Sequence, residues 1–107
     1  MNFQHKNLAN GGWQKLSLVE QMANVGSEVE RALNWRSKDK KDSQTAFERA
    51  LELLDLTMAD PKNKNRVFEI ARARELLCEY FLGKNQYNDS EKNWKDYFYL
   101  FGYAASR

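Results

Sequence analysis

Apolar residues recur at helical spacing in four stretches of this chain, and short polar segments separate these stretches. The first stretch contains apolar residues mostly three or four positions apart: Leu18, Met22, Val25, Val29, Ala32 and Leu33. This spacing puts the apolar side chains on one face of an α-helix. Ser17 and Glu20 have the spacing of a capping box, in which each side chain bonds a free backbone N–H. We therefore predict a first helix over residues 17–36.

The second stretch follows the charged connector 36–43. Its inward face is formed by Phe47, Ala50, Leu51, Leu54 and Met58. Asp42 or Ser43 is a candidate N-cap, because short side chains with an oxygen accept from the free N–H groups of the first turn. Thr45 and Glu48 repeat the capping-box spacing. The pattern predicts a second helix that the sequence ADP brings to an end.

Two further helices follow. Asp60 is a good cap, and Pro61 fits the first turn of a helix, where its missing N–H costs nothing. The inward face of the third helix is formed by Val67, Ile70, Ala71, Leu77, Cys78 and Phe81. Gly83 is placed to end this helix. The fourth helix, over about 90–105, has an inward face formed by Trp94, Phe98, Phe101 and Ala105.

No segment alternates apolar and polar residues with a period of two, so the sequence predicts no β-strand. Four helices with short connections predict an all-α fold, an antiparallel up-and-down four-helix bundle. A chain of 107 residues fits one domain. We therefore expect a flexible N-terminal lead at 1–14 and a single bundle domain over 15–107.

Composition narrows the classes of protein that this chain can represent. Its net charge of +2 is too small to indicate nucleic-acid binding, which stays a weakly supported alternative. The single Cys can form neither an internal disulfide nor a zinc site. No apolar run approaches the roughly 20 residues of a membrane span, and the N-terminus lacks the apolar core of a signal peptide. The sequence predicts a cytoplasmic protein with no membrane partner and no cofactor.

Apolar residues also lie outside the predicted core faces. The fourth helix is apolar nearly all round, and the third has a second apolar strip. A monomer would expose these rows to water, and exposed apolar patches of that kind usually mark an interface. The predicted interface residues are Ala73, Leu76, Tyr80, Tyr99, Leu100 and Tyr103. We therefore predict a homodimer built on the third and fourth helices; tyrosines that lie flat with their hydroxyls in water are the alternative.

A glycine inside the first helix is unexpected there. Val19, Ala23 and Gly26 form a seam of small residues beside the core face. Glycine within a helix costs about 1 kcal/mol relative to alanine. A neighbouring helix packed closely against this seam would explain Gly26, and a tolerated glycine is the alternative.

Arg74 falls at the centre of the apolar stripe of the third helix, close to Cys78 and Phe81. A buried guanidinium needs a carboxylate or a carbonyl beside it, because an unpaired buried charge is strongly destabilising. Glu28 on the first helix is the first candidate partner, and Asp55 on the second helix is the next. We therefore predict a buried structural ion pair that fixes how the helices register.

Three carboxylates lie on one flank of the second helix: Glu48, Glu52 and Asp55. Two of them have a Glu-x-x-Asp spacing, which lets carboxylates share a divalent cation. All-α nucleotide pyrophosphohydrolases place such a pair opposite a Glu-x-x-Glu, whereas here Glu28 is followed three residues later by Arg31. We therefore predict a solvated acidic stripe, and metal binding by this stripe is the open alternative.

The stretch RARELLCEYFLG resembles the motif of HEPN-domain proteins, which are small four-helix bundles, often dimeric, and in many cases ribonucleases or toxins. That motif contains an Arg followed a few residues later by a His. Residues 79–81 match the residues after the His, but Cys78 stands in the place of the His and Ala73 in that of the Arg. The missing His argues against a His-dependent nuclease. A divergent nuclease of this type would gather four side chains in one cleft at the dimer interface: Asn24, Arg72, Arg74 and Tyr80.

A second resemblance covers most of the chain. Four runs are similar to a family of small bacterial helical proteins of uncharacterised function: QMANVGSEVERALNW, AFERALELLDLTMADP, RARELLCEYFLG and YFYLFGYAA. This resemblance implies a shared helical fold and carries no function.

The leading functional interpretation is a non-enzymatic helical binding module that self-associates. It follows from the surplus apolar faces and from the lack of a complete catalytic set, since His5 is the only histidine and Cys78 lies on an apolar stripe. The alternatives are an HEPN-like RNA-binding or ribonuclease-related protein of a toxin or defence type, and a divergent all-α nucleotide pyrophosphohydrolase. The pyrophosphohydrolase would need four carboxylates to converge on one metal ion: Glu28, Glu48, Glu52 and Asp55.

Overall fold

The computed structural model describes residues 11–83 and 90–106. Within these ranges it contains four α-helices and no β-strand. The helices are α1 (Leu18–Trp35), α2 (Lys40–Ala59), α3 (Val67–Phe81) and α4 (Glu91–Ala105). Two 3₁₀ helices, Trp13–Lys15 and Pro61–Arg66, precede α1 and α3. The predicted all-α four-helix fold is confirmed, and the antiparallel order of its helices stays a prediction.

The start of α1 agrees with the sequence prediction. The side chain of Ser17 accepts a hydrogen bond from the backbone N–H of Glu20 at 3.1 Å, and the Glu20 carboxylate accepts from the N–H of Ser17 at 3.0 Å. These two bonds complete the predicted capping box. They also hold the pKa of Glu20 below its usual value, because they stabilise the charged carboxylate.

α2 begins earlier than the sequence predicts. Asp39 is the N-cap, and its side chain accepts from the N–H groups of Lys41 and Asp42 at 3.0 and 3.2 Å. The predicted caps Asp42 and Ser43 are therefore wrong, since both lie within the helix. Ser43 is buried and donates to the carbonyl of Ala32 at 2.7 Å. This bond ties the start of α2 to the end of α1.

The segment after α2 forms a 3₁₀ helix rather than the first turns of α3. Asp60 caps this segment by accepting from the N–H of Lys62 at 3.1 Å, and Pro61 occupies its first turn. Both expectations for this helix start are confirmed, but α3 itself begins only at Val67. Gly83 follows α3 with a φ of +84°, a backbone conformation that glycine adopts without strain.

α1 lies at the centre of the fold, because it packs along both α2 and α4. α3 packs against α2, whereas α3 and α4 make little direct backbone contact. The buried core is formed by Trp13, Met22, Val25, Val29, Ala32, Leu33, Ala46, Phe47, Ala50, Leu53, Leu54, Ile70, Leu77, Trp94 and Phe98. This arrangement leaves a groove on each side of α4, one beside α1 and one beside α3.

Trp13 belongs to this core, although the sequence prediction placed it in a flexible lead. Its side chain is only 1% exposed. The predicted domain boundary after residue 14 is therefore wrong, because the folded part includes the 3₁₀ helix Trp13–Lys15. The remainder of the predicted lead, residues 1–10, lies outside the described residues.

Candidate functional site

Arg74 pairs with Asp55 and not with Glu28. Its Nε donates to Asp55 Oδ1 at 2.8 Å, and its Nη2 donates to Asp55 Oδ2 at 3.4 Å. The Arg74 side chain faces α2 because α3 packs against that helix, while Glu28 on α1 accepts from Arg31 at 3.4 Å. The side chains of Arg74 and Asp55 are 34% and 49% exposed. The prediction of Glu28 as the first partner and the prediction of a buried charge are both wrong.

We expect the ion pair between Arg74 and Asp55 to contribute little to stability. Exposed pairs of this kind give coupling energies of about 0.2–1 kcal/mol, because water screens the charges. A double-mutant cycle with Arg74→Met and Asp55→Asn, followed by urea unfolding, measures that coupling. The methionine keeps the apolar stem that packs on the core. A coupling energy above about 3 kcal/mol would instead indicate a desolvated pair of the kind first predicted.

Cys78 is half-buried at the edge of the core. Burial raises the pKa of its thiol; the nearby Arg74 lowers the pKa, and Asp55 raises it again, with a net increase. The thiol is therefore protonated at neutral pH, and the side chain packs against the hydrophobic core. A protonated thiol is a poor nucleophile.

The four side chains that an HEPN-type cleft would need have separate surroundings. Arg74 pairs across to α2, and Arg72 lies at the rim of the groove between α3 and α4. The ring of Tyr80 is covered by the guanidinium of Arg36, 4.6 Å from its centroid. Asn24 donates to a backbone carbonyl of its own helix at 2.8 Å. Neither of the two grooves is lined by more than one of these four residues.

The acidic residues of α2 do not converge with Glu28 on a common point. Glu48 accepts from a glutamine one turn earlier, Asp55 pairs with Arg74, and Glu28 pairs within α1. Glu52 is half-buried on α2. Across 11–83 and 90–106, no three His, Cys, Asp or Glu side chains are grouped closely enough to hold one metal ion. The arrangement that a pyrophosphohydrolase requires is therefore not found in this part of the chain.

The α3 half of the predicted interface is largely covered within the single chain. Ala73 is buried, at 7% exposure, and its prediction as an interface residue is therefore wrong. It lines the groove between α3 and α4, which also contains Leu76 and Trp94. Leu76 and Tyr80 are half-buried. Ala73, Leu76 and Tyr80 therefore contribute less exposed surface than the sequence predicts.

The α4 half of the predicted interface faces solvent. Tyr99, Leu100 and Tyr103 are 68%, 66% and 55% exposed. We call these three residues the α4 face. The rings of Tyr99 and Tyr103 stack with their centroids 6.4 Å apart, one helical turn from each other. They form a projecting aromatic pair on the outside of the fold.

A groove of about 480 Å³ runs beside this face, between α1 and α4. We call it the α1–α4 groove. The small residues Ala23, Gly26 and Ser27 line it from α1, and Tyr99 and Tyr103 line it from α4. Small side chains on α1 leave the space that the groove occupies.

Gly26 lets the two helices of this groove approach closely. A Cβ atom built at Gly26 would lie 2.7 Å from the Cβ of Phe98, closer than real Cβ contacts allow. The explanation of Gly26 by a closely packed neighbouring helix is confirmed, and that neighbour is α4. Close contact with Phe98 positions α4, and with it the α4 face, against α1.

The second groove, between α3 and α4, has a volume of about 510 Å³. Its walls combine apolar residues with a polar rim: Ala73, Leu76, Trp94, Tyr97, Glu69, Arg72 and Asn93. Trp94 is buried, and its Nε1 donates to no atom of the described residues. Burial raises the pKa of the Tyr97 hydroxyl, and the charge of Glu69 raises it further. Tyr97 therefore stays neutral at physiological pH.

A buried polar network, which the sequence analysis did not identify, holds the 3₁₀ helix of Trp13 against the ends of α1 and α2. The indole Nε1 of Trp13 donates to Thr57 Oγ1 at 2.9 Å. Gln21 Nε2 donates to the carbonyl of Trp13 at 3.0 Å and to Asp60 Oδ2 at 2.8 Å. Asn63 Nδ2 donates to Gln21 Oε1 at 2.8 Å. All five residues are at most 3% exposed, so these bonds are shielded from water.

Asp60 is the charged member of this network. Burial works to raise the pKa of its carboxyl, but hydrogen bonds from Lys62 and Gln21 outweigh burial and hold the pKa below its usual value. The Lys62 ammonium also bonds Asp60 Oδ2 directly and donates to the carbonyl of Gln14 at 3.0 Å. The network thus keeps a carboxylate ionised where solvent does not reach it.

We expect the free energy of unfolding to fall as the pH drops below about 4, partly because of Asp60. The pKa of Asp60 is lower in the folded protein than in the unfolded chain. The stabilisation that its charge contributes is therefore present above the unfolded pKa and is lost as the pH falls through the folded pKa. Asp60→Asn removes this charge and keeps a side chain that can cap. Urea unfolding at pH 7 and pH 3 should show a stability difference between wild type and variant that shrinks at pH 3. An equal difference at both pH values would contradict this role.

No helix in the described part of the chain combines the length and the apolar character that crossing a bilayer requires. Four of the seven large hydrophobic side chains exposed in the described ranges lie on α4. Comparison with known proteins finds no matching family model, no matching curated protein and no matching solved structure.

Proposed function

We propose that this protein is a non-enzymatic helical interaction module that associates with itself. The observation that carries the proposal is the exposed α4 face, Tyr99, Leu100 and Tyr103. Of the seven large hydrophobic side chains exposed in the described ranges, four lie on α4, so the exposed apolar surface is concentrated on one helix. Exposed apolar patches of this kind mark protein–protein contact sites.

The composition of α4 supports the same function. Tyrosine is enriched at protein interfaces, because its ring is apolar and its hydroxyl tolerates water before association. A helix whose inward side already packs on α1 through Phe98 has no need of further aromatic residues for the core of this chain. The exposed aromatic residues of α4, Tyr99 and Tyr103, lie outside that packed side and therefore fit contact with another molecule.

The polar chemistry of the chain supports an interaction module rather than an enzyme. Arg74 and Asp55 pair between α3 and α2, and Asp60 is held within a network of structural hydrogen bonds. The thiol of Cys78 is kept protonated by burial. Each of these ionisable groups is engaged in a contact within the folded chain.

The test is the mass of the full chain in solution. Analytical ultracentrifugation over a range from nanomolar to high micromolar concentration should show a species of twice the 12.6 kDa chain mass that dissociates on dilution. Circular dichroism under the same conditions checks that the helices remain folded. A single species of monomer mass up to the highest concentration would overturn the proposal.

A further inference from the structure

Gly102 lies on α4 with no close neighbour among residues 11–83 and 90–106. A Cβ atom added at Gly102 would meet none of their atoms within 4 Å, whereas one added at Gly26 would meet Phe98. Glycine is unfavourable within a helix, and one use of it there is to let another backbone or side chain approach closely. Gly26 has such a neighbour on α4, but Gly102 has none in the described ranges. The close approach that Gly102 permits is therefore available to a second molecule.

Gly102 also lies between the exposed tyrosines of α4 and the α1–α4 groove. It lines the α1–α4 groove, and the adjoining wall of that groove is formed by Tyr99 and Tyr103, which project into solvent. The opposite wall is formed by α1, with small residues such as Ala23 and Ser27 beside the larger Val29, Glu30 and Leu33. One patch thus contains both a projecting aromatic pair and a groove of about 480 Å³ beside it.

A patch of this kind is complementary to itself. In a two-fold dimer the same residues of both copies face each other, so a projection must lie beside a cavity that can receive its counterpart. We propose that the α1–α4 groove binds the α4 helix of a second copy of this chain, with the helices crossing at Gly102. Tyr99 and Tyr103 of each copy then occupy the groove of the other. This inference rests on the self-association proposed above and specifies its surface.

The exposed area matches what such a contact needs. At about 200 Å² for each large side chain, the exposed fractions of the α4 face leave roughly 400 Å² of mostly apolar surface in water. A standard interface buries about 800 Å² per partner, a little over half of it apolar, which is roughly 450 Å². The α4 face therefore supplies most of the apolar area of a standard dimer contact. The polar rim of the groove supplies the polar area of that contact.

The charges at the rim do not oppose a second copy. Lys95 pairs with Glu91 at 3.1 Å, and Asp96 pairs with Lys92. Both pairs join residues one turn apart on α4 and stay within one chain. Two copies that meet through this rim therefore bring together charges of both signs, mostly paired, with Glu30 of α1 as a further carboxylate on the groove.

The experiment compares Gly102→Leu with Phe68→Glu by analytical ultracentrifugation of the full chain. Position 102 has open space in the single chain, so leucine should leave the helices folded, which circular dichroism checks. In the dimer the leucine would hold the helices apart, and we expect the dissociation constant to rise at least tenfold. Phe68 is 92% exposed on α3 and lies outside both grooves, so Phe68→Glu should dimerise like the wild type.

A second variant guards against an effect of Gly102→Leu on the fold. Tyr99→Glu places a charge on a side chain that is 68% exposed, and it should weaken the dimer to a similar degree. A wild type that dimerises, with a dissociation constant unchanged by both α4 variants, would overturn this inference and leave self-association standing. A wild type that stays monomeric would overturn both this inference and the proposed self-association. A different protein would then be the candidate partner of the groove.

Discussion

Replacing Gly26 with alanine should lower the free energy of unfolding by up to about 2 kcal/mol, although alanine is the better helix former. The new Cβ would lie 2.7 Å from the Cβ of Phe98. That atom is attached directly to the α4 backbone and cannot rotate away, so α4 itself must move. Overpacking of this kind typically costs 1–3 kcal/mol, which exceeds the roughly 1 kcal/mol that alanine gains in helix propensity. Urea unfolding followed by circular dichroism measures the difference.

Gly102→Ala is the matched control for this prediction. Position 102 is also a helical glycine, but an added Cβ there would meet no atom of the described part of the chain within 4 Å. The control should raise the free energy of unfolding by about 0.5–1 kcal/mol. All proteins are compared at a concentration at which they are monomeric, because association would add to the apparent stability. If Gly26→Ala were as stabilising as the control, α4 would not pack on α1 at the distance described.

Replacing Gln21 with leucine should lower the free energy of unfolding by about 3 kcal/mol. Gln21 is fully buried and bonds Trp13, Asp60 and Asn63. Leucine fills a similar volume, so the variant removes hydrogen bonds rather than packing. It removes three hydrogen bonds, and each contributes about 1 kcal/mol net. The Trp13 carbonyl keeps its bond from Leu16 and Asp60 keeps Lys62, whereas one N–H of Asn63 loses its partner.

The same substitution at Gln44 controls for the change of side chain. Gln44 is exposed on α2 and donates only to Glu48, at 3.3 Å. Gln44→Leu should change the free energy of unfolding by at most about 0.5 kcal/mol. Thermal and urea unfolding of both variants give the comparison. Similar losses from both substitutions would show that the network around Trp13 does not stabilise the fold.

Local signals explain why most helix starts are predictable from this sequence. Ser17 and Glu20 bond backbone groups of each other, and Asp60 caps the segment that Pro61 begins, all within three positions. Such bonds depend on neighbouring residues alone, so the sequence contains their full cause. The starts of α2 and α3 are exceptions. Asp39 lies in a charged run in which several residues are competent caps, and α3 begins at Val67 without a side-chain cap.

The network around Trp13 was not predictable, because its bonds join residues far apart in the chain. Trp13 and Thr57 are 44 positions apart, and Gln21 and Asn63 are 42 positions apart. Gln21 and Asn63 are polar residues, which are mostly exposed in proteins. An isolated Trp beside two glycines was the only local sign that the start of the chain has a packing role.

The candidate interface was predictable in part, and the reason lies in how α3 is placed. Helical spacing identifies which residues share a face, so Tyr99, Leu100 and Tyr103 were found together. Spacing does not show which face another helix covers. Ala73 is therefore buried in the single chain, although it shares an apolar strip with Leu76. The same limit applies to Arg74, whose partner depends on α3 packing against α2.

The central position of α1 also has a consequence for the entropy of the chain. The bond from Ser43 to Ala32, which holds α2 to α1, spans 11 positions, whereas the bond from Lys95 to Asn34, which holds α4 to α1, spans 61. Closing the longer loop costs about 1.5 kcal/mol more. The contact of Phe98 with Gly26 must offset this cost. α4, the helix with the exposed interface, is thus held by packing rather than by proximity in the chain.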